Sequence, residues 1–247
     1  MAVYTPVEQD DLLEFLDAYD LGEVIAFKGI AEGVENSNFF LETEHGRYIL
    51  TLYEKRVDPA DLPFFIGLMD HLAAVGLPCP IPVRGRDGEP LRRLNDRPAA
   101  IISFLKGMSP QRPHVTHCAE LGRALARFHK AGADFAIKRP NSLSVQGWRR
   151  LLDATTGRAD EVKPGLGEDL EAEYADLAAH WPHDLPQGVI HADLFPDNVF
   201  FIGDKLSGLI DFYFACNDAF VYDIAICLNA WCFERDNSLN VTTARAL

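Results

Sequence analysis

The 247-residue sequence lacks the features of several broad classes of protein. It has no run of about 18 apolar residues, the minimum for a helix that spans a bilayer. Its N-terminus has neither the basic nor the apolar region of a secretory signal. Internal repeats and low-complexity segments are also missing. These absences predict a globular protein of the cytoplasm that does not enter a membrane.

Paired cysteines and an excess of basic residues are missing too. The five cysteines are odd in number and contain no C-x-x-C pair, which argues against a disulfide framework or a zinc site and suits a reducing compartment. The net charge of −14 would repel the phosphate backbone of a nucleic acid, so no nucleic-acid partner is expected. It does not exclude a small phosphate ligand, because a few cations and a metal ion can override the overall field locally.

The first 106 residues alternate short apolar runs with turn residues, a pattern typical of antiparallel strands. A capping box at Thr5 and Glu8, with Pro6 at the first helical position, predicts an opening helix that ends near Gly22. The predicted strands are 24–30, 38–43, 47–54 and 98–104. A helix is expected over 58–76, and a hairpin turn at Asp87-Gly88.

The pattern changes after residue 106. The segment 106–110 reads Lys-Gly-Met-Ser-Pro and is expected to be a hinge between two lobes. Beyond it, the predicted helices are 116–131, 144–154, 168–181 and 220–234, and the predicted short strands are 189–191, 199–202 and 206–210. The sequence therefore predicts an α+β protein with an N-terminal antiparallel-sheet lobe (1–106) and a mainly helical C-terminal lobe (107–247).

The sharpest motif is H-x-D-x-x-x-x-N at 191–198, followed thirteen residues beyond Asn198 by Asp211. Phosphoryl transfer from ATP needs a carboxylate to accept the proton of the attacking hydroxyl, and an amide and a second carboxylate to hold Mg²⁺. An H-x-D triplet alone is as readily part of a polar turn, but the complete set favours a kinase. We interpret Asp193 as the catalytic base, His191 as a support of the loop, and Asn198 and Asp211 as ligands of Mg²⁺.

These motifs resemble those of the aminoglycoside-phosphotransferase-like group, whose members share the two-lobed protein-kinase architecture. Four further segments resemble the type II homoserine kinase family, and the likeness covers essentially the whole chain. The segments are 29–40, 48–54, 62–65 and 139–143. The resemblance implies ATP-dependent phosphorylation of L-homoserine, a small-molecule substrate, to O-phospho-L-homoserine in threonine biosynthesis. It also implies ATP and Mg²⁺ as cofactors.

The nucleotide phosphates are expected at the turn of the first hairpin. Gly33 allows a close approach of the backbone, and Asn36, Ser37 and the adjacent Asn38 offer amide and hydroxyl groups. An ordinary hairpin turn explains the same residues equally well.

The adenine is expected beside the strand that ends at Ser103 to Leu105, where backbone groups can pair with the base edge. A buried strand explains these residues equally well. Protein kinases carry a phosphate-binding lysine on a neighbouring strand, but Thr51 occupies that position here. Lys55 lies on the same strand face by period-two alternation, although a solvated lysine at the strand end is the favoured interpretation.

The acceptor needs an acid for its ammonium group and a cation for its carboxylate. Glu35 and Asp218 are candidates for the ammonium group, and Arg139 and Arg149 for the carboxylate. Asp223 resembles a position that braces the catalytic loop in related kinases and is interpreted as structural.

Two alternatives stay open. The catalytic loop does not distinguish homoserine from an aminoglycoside, choline, hydroxylysine or a sugar-like alcohol. A nucleotide-binding pseudokinase is the other possibility, prompted by Thr51 and by a sequence that stops within a helical pattern, as in a truncated second lobe. The intact base and metal ligands argue against it.

Overall fold

The computed structural model describes residues 4–31, 36–54 and 57–247. The helices of this part of the chain are α1 (Gln9–Leu16), α2 (Leu62–Ala74), α3 (Val115–Ala131), α4 (Val145–Thr155), α5 (Leu166–His180), α6 (Phe220–Trp231) and α7 (Val241–Ala246). Its strands are β1 (Val24–Gly29), β2 (Ser37–Thr43), β3 (Gly46–Leu52), β4 (Arg92–Leu94), β5 (Arg97–Ser103), β6 (Gln187–Ile190), β7 (Val199–Ile202), β8 (Lys205–Leu209) and β9 (Cys216–Ala219).

The N-terminal half is built on one antiparallel sheet in the order β1-β2-β3-β5-β4. Alternate residues of β2 are buried, which sends Phe39 and Leu41 to one face. That face packs against α1 through Leu12, Phe15 and Tyr19. The other face turns toward α2 and the helical half.

The C-terminal half is mainly helical and carries two small antiparallel ribbons, β6–β9 and β7–β8. The buried face of α3 includes Leu121, Leu125 and Phe128. These residues share one apolar cluster with Phe65 of α2 and with Phe212, which follows β8. The cluster fixes both ribbons against α2 and α3, and so holds in place the loops that follow β6 and β8.

The predicted start of the first helix is wrong. The helix begins at Gln9, after Glu8, and the cap at Glu8 has no side-chain hydrogen bond. The backbone N–H groups of Tyr4 and Thr5 instead donate to the Oγ of Ser37, at 2.8 and 3.1 Å. The helix also ends at Leu16, well before Gly22.

The predicted turn at Asp87-Gly88 is present, with the N–H of Gly88 donating to the carbonyl oxygen of Gly85 at 2.8 Å, but it does not close the hairpin. The two strands pair across Asn95-Asp96, where both residues have positive φ values of 48° and 60°. Positive φ at both central residues defines a type I′ turn, whose twist matches that of paired strands. The turn at Gly88, which has a positive φ of 87°, instead interrupts the segment that pairs with β5: Pro82 and Val83 pair with β5 before it, and β4 pairs with β5 after it.

The prediction of unpaired cysteines is confirmed. All five are buried with free thiols, and burial raises the pKa of Cys79 and Cys216 to about 12. Thiols held in this state are poor nucleophiles. Among the described residues, no helix combines the length and the apolar character that a bilayer crossing demands.

Candidate active site

The loop 191–198 connects β6 to β7, and the carboxylate of Asp223 fixes its start. Asp223 lies fully buried in α6 and accepts the backbone N–H groups of His191 and Ala192, both at 2.9 Å. The Nε2 of His129, near the end of α3, lies 3.0 Å from the same carboxylate. These bonds hold Ala192 in the left-handed region at φ 62°, which costs an L residue roughly 1–2 kcal/mol. The loop therefore takes its shape from α6 and α3, and Asp223 braces it.

His191 joins the loop to the strand that follows. Its side chain is fully buried against the ring of Phe212, with ring centroids 4.9 Å apart. Its Nε2–H donates to the carbonyl oxygen of Ile210 at 3.0 Å. Burial lowers the pKa of His191 to about 4, and the nearby charge of Asp223 opposes this only in part. The ring is therefore neutral at pH 7 and acts as a fixed link.

Asp193 and Asn198 lie side by side within the loop. The Nδ2 of Asn198 donates to both the carbonyl oxygen and the Oδ2 of Asp193, each at 2.8 Å. These two bonds fix the orientation of the Asp193 carboxylate. They also point the Oδ1 of Asn198 away from Asp193. One amide side chain thus orients a carboxylate and presents its own oxygen.

Asp211 comes to the same place from β8. The N–H of Ile210 donates to the carbonyl oxygen of Asn198 at 3.0 Å, so Asp211 follows directly beside Asn198. Asp211 has φ 64° and ψ 68°, which turns the chain out of the strand. The structure thus brings all four residues of the motif together.

The position of the missing kinase lysine is filled by a chain of hydroxyl groups. Thr51 is buried, and its Oγ1 donates to the Oδ1 of Asn38 at 2.7 Å. Thr51 also lies close to Tyr213, whose hydroxyl donates to that of Tyr53 at 3.4 Å. Burial, with a smaller contribution from the charge of Asp211, raises the pKa of Tyr53 to about 12. The hydroxyl chain is neutral and offers no positive charge to a phosphate.

Lys28 is a cation on this face that the sequence analysis did not single out. It lies opposite Phe40 in the pairing of β1 with β2, and Phe40 lies opposite Ile49. Directly opposite residues share a face of the sheet, so Lys28 lies on the face that carries Thr51. Lys28 is exposed and directly precedes Gly29, where the expected nucleotide hairpin begins. Only the strand register reveals this, because β1 has no clean alternation of buried residues.

The predicted phosphate-binding turn is only partly described. Gly33, Glu35 and Lys55 lie outside the described residues. Asn36 and Ser37 are buried and make contacts within the protein. The Oδ1 of Asn36 accepts the N–H of Glu54 at 3.2 Å, and the Oγ of Ser37 donates to Glu54 at 2.7 Å.

The linker after β5 is fastened to the ribbon β7–β8. Met108 exchanges two backbone hydrogen bonds of 3.0 Å with Phe201. The N–H of Ser103 donates to Ile81, and that of Phe104 donates to Arg47. Among the described hydrogen bonds, none uses the N–H of Leu105. Of the three backbone N–H groups at the expected adenine position, this is the one left for a ligand.

Arg139 contributes to the packing between α2 and the strand segment that follows β8. Its Nε donates to Asp61 at 2.6 Å, its Nη1 donates to the carbonyl oxygen of Ala215 at 3.1 Å, and its guanidinium lies over the ring of Phe65. An acceptor carboxylate would have to compete with Asp61 for this cation.

Asp218 and Arg149, two further acceptor candidates, are also engaged. The Oδ2 of Asp218 accepts Asn141 at 2.8 Å, and Asp218 pairs with Gly188, away from the catalytic end of β6. Arg149 forms a bidentate pair with Glu171 at 2.7 and 2.8 Å, which ties α4 to α5.

Comparison with known proteins identifies similar sequences. The phosphotransferase enzyme family matches residues 26–247. A homoserine kinase of Rhodospirillum rubrum is 66% identical over 245 residues, which cover 99% of this chain and 76% of that protein. A homoserine kinase of Bradyrhizobium diazoefficiens is also 66% identical, over 100% of this chain and 76% of its own length.

Solved structures share the fold at low sequence identity. An amicoumacin kinase in complex with AMP-PNP, Ca²⁺ and Ami matches with a TM-score of 0.74 at 16% identity, over 91% of this chain and 69% of that chain. A spectinomycin phosphotransferase in complex with ADP matches with a TM-score of 0.71 at 14% identity, over 91% and 74%. The fold is therefore the two-lobed, protein-kinase-like one.

Proposed function

Because the chain belongs to the phosphotransferase enzyme family and, within it, to the homoserine kinases, we propose that it phosphorylates L-homoserine with ATP. The products are ADP and O-phospho-L-homoserine, a step toward threonine. The observation that carries this proposal is the pairing of Asp193 with Asn198 beside Asp211, in a chain 66% identical to homoserine kinases. The identity of the substrate is inferred from the relatives, and the reaction type is inferred from the residues of the loop 191–198.

Asp193 serves as the base. Asn198 holds the Oδ2 of Asp193, which keeps the carboxylate in one orientation as the acceptor hydroxyl approaches. The hydroxyl oxygen attacks the γ-phosphorus, the bond to the β–γ bridging oxygen breaks, and the hydroxyl proton passes to Asp193. The protein forms no covalent bond to the substrates in this step, and its main contribution is to hold the reacting groups in line.

Asn198 and Asp211 fit a magnesium ion. The donor set is one amide oxygen and one carboxylate, the hard oxygen ligands that Mg²⁺ takes alongside water and phosphate. Asn198 uses its Nδ2 on Asp193, so its Oδ1 is the atom left to bind the ion. When bound, the ion supplies positive charge to the phosphate oxygens.

We place the nucleotide between the sheet and the linker. The N–H of Leu105 is the expected donor to the base edge, with the carbonyl oxygen of Ser103 nearby. Lys28 is the expected cation for the phosphates, because it shares the face of Thr51 and directly precedes the hairpin. Gly33, Asn38 and Lys55 stay predicted phosphate contacts. Buried Asn36 and Ser37 shape the base of this hairpin.

We divide the chain at residue 106 into a nucleotide-binding part and a catalytic part, as the sequence predicts. The partner is a small-molecule acceptor. Glu35 and Asp218 for its ammonium group, and Arg139 for its carboxylate, remain predictions. So do the cytoplasmic location and the lack of a nucleic-acid partner.

The proposal is tested by measuring ADP release from Mg-ATP with L-homoserine beside choline, hydroxylysine, L-serine and kanamycin. We expect turnover with homoserine alone. Asp193→Asn should lower kcat by roughly 10²–10⁴-fold, the contribution of a positioned base, and should leave Mg-ATP binding in place. Asp197→Asn, an exposed carboxylate in the same loop, is the matched control and should keep its kcat.

The outcomes separate the acceptor from the chemistry. Turnover with another acceptor would discard homoserine but keep the phosphotransferase and its loop. Equal activity of Asp193→Asn and Asp197→Asn would remove Asp193 from the role of base.

A further inference from the structure

Two histidines and an aspartate meet outside the proposed active site. His114 and His117 lie at the start of α3, and Asp204 lies in the turn between β7 and β8. The Nε2 atoms of His114 and His117 lie 3.3 and 3.6 Å from the same Oδ1 of Asp204. The three potential ligand atoms all lie within 4.8 Å of one another. Sequence reasoning missed the cluster because Asp204 is nearly ninety residues from the histidines.

The two distances from Asp204 to the imidazole nitrogens, 3.3 and 3.6 Å, are close to the spacing of ligands around an ion. A hydrogen bond between an imidazole N–H and a carboxylate is usually about 2.7–3.2 Å long, which is shorter than both contacts. A tetrahedral ion with bonds of about 2.0–2.1 Å holds its ligand atoms about 3.3–3.4 Å apart. The observed 3.3 and 3.6 Å therefore fit a shared ion better than a direct hydrogen bond.

The two imidazoles are positioned from different sides. His117 is buried, and its ring lies 4.5 Å from that of Phe201 in β7, centroid to centroid. His114 is exposed, and its ring centroid lies 3.8 Å from that of His117. Packing thus fixes one ring, while the exposed side leaves room for a water ligand.

The charges around the cluster favour a cation on balance. The N-terminus of α3 carries a partial positive charge that opposes one. Asp204 supplies a full negative charge at the ligand position, whereas Glu120, one turn further along α3, is ion-paired with Arg123 and accepts the N–H of Leu206 near the turn of the ribbon at 3.5 Å. The net charge of the chain, −14, acts in the same direction.

We propose that His114, His117 and Asp204 form a binding site for one divalent transition-metal cation of the zinc class, completed by water. Two imidazoles and a carboxylate suit Zn²⁺ or Co²⁺ better than Mg²⁺, which prefers oxygen ligands. The bound ion would clamp the start of α3 to the turn of the ribbon that lies between Asn198 and Asp211. This site is independent of the proposed acceptor.

The test is titration of the full chain with Co²⁺ and Zn²⁺ in excess Mg²⁺, followed by visible absorption and calorimetry. We expect one tight equivalent, with a Co²⁺ spectrum of four-coordinate nitrogen and oxygen ligands and no thiolate charge-transfer band. His114→Gln and Asp204→Asn change exposed residues, and each should weaken binding by about tenfold or more, since loss of even a supporting group costs 10–100-fold. Melting curves without metal verify that both variants fold.

Two variants serve as controls. His180→Gln removes an exposed histidine that pairs with Asp176 at 3.2 Å without a second histidine, and it should bind as the parent does. Asp211→Asn should also keep its tight equivalent, because Asp211 belongs to the proposed magnesium site. Absence of a tight equivalent in the parent, a thiolate band, or parental affinity in both His114→Gln and Asp204→Asn would overturn the proposal.

Discussion

His191 is a neutral histidine buried at the junction of two catalytic segments. Its pKa of about 4 lies below the ordinary value of 6.5. Between these two values, the unfolded chain binds a proton that the folded chain does not. The free energy of unfolding therefore decreases as the pH falls from 6.5 toward 4.

We predict that this residue makes the protein sensitive to mild acid. From pH 7 to pH 4, the parent should lose roughly 3 kcal/mol more stability than His191→Gln, following the value of one pKa unit. Urea unfolding of both proteins across this range measures the difference, and the variant corrects for the carboxylates that both share. Equal pH slopes would show that His191 titrates normally.

Lys28 provides a second prediction for a single residue. Lys28→Met should raise the KM for ATP roughly tenfold, equivalent to about 1.4 kcal/mol for a partly screened phosphate contact, with little change in kcat. Lys28→Arg should restore most of the affinity. Lys205→Met, which changes an exposed lysine at the start of β8, is the matched control. An unchanged KM for ATP in Lys28→Met would contradict this prediction and leave Lys55 as the candidate phosphate-binding lysine.

The sequence predicts the catalytic residues better than the cations around them. The spacing of Asp193, Asn198 and Asp211 is local, and a loop between two short strands converts it directly into proximity. The placement of Lys28 and of the hydroxyl chain at Thr51 depends on strand register, which involves partners far along the chain. The sequence also predicts a substrate contact for Arg139, whose observed partners include Asp61 and Phe65.

At the scale of secondary-structure elements, Gly107 controls how closely the linker meets the ribbon β7–β8. Gly107 has φ 143°, and a Cβ there would lie 2.9 Å from the Cβ of Phe200 and would overlap the Oγ of Ser207. That hydroxyl donates to the carbonyl oxygen of Lys106 at 2.8 Å. The glycine is therefore required both by its backbone angle and by the space around it.

We predict that Gly107→Ala costs more stability than Gly88→Ala. Gly88 also has positive φ, at 87°, but no atom lies within 4 Å of the position that an alanine methyl group would occupy there. The difference in unfolding free energy should be roughly 1–3 kcal/mol, the usual cost of overpacking. Chemical denaturation of the two variants measures it. Equal losses would mean that backbone strain alone matters at Gly107.

The sequence predicts elements best where the pattern is long and regular. Strands β1, β2, β3 and β5 and helices α2 to α6 are confirmed to within a few residues at most ends, whereas the three-residue strand β4 is not predicted. Two differences remain: the N–H groups of Tyr4 and Thr5 bind the distant Ser37 instead of opening a helix, and Asn95-Asp96 closes the hairpin in place of Asp87-Gly88. Strand β9 escapes prediction because its middle residues, Asn217 and Asp218, are polar and its pairing with β6 is distant in sequence.

At the scale of the whole molecule, Arg139 and the linker join the two halves. Arg139 binds Asp61 just before α2 and the carbonyl oxygen of Ala215 after the catalytic segment. The linker pairs with β7 through Met108 and Phe201. These contacts set the position of the sheet relative to the loop 191–198.

The helical pair α4–α5 is inserted between two chain segments that both pair with strand β9. Pro140 bridges β9 before α4, and β6 pairs with β9 after α5. No residue of α5 is buried. A segment with anchored ends and an exposed body can lengthen, shorten or be exchanged at small cost in closure entropy. Mutations can therefore change the length or sequence of α4–α5 in separate lineages without altering the inherited loop 191–198 and Asp211.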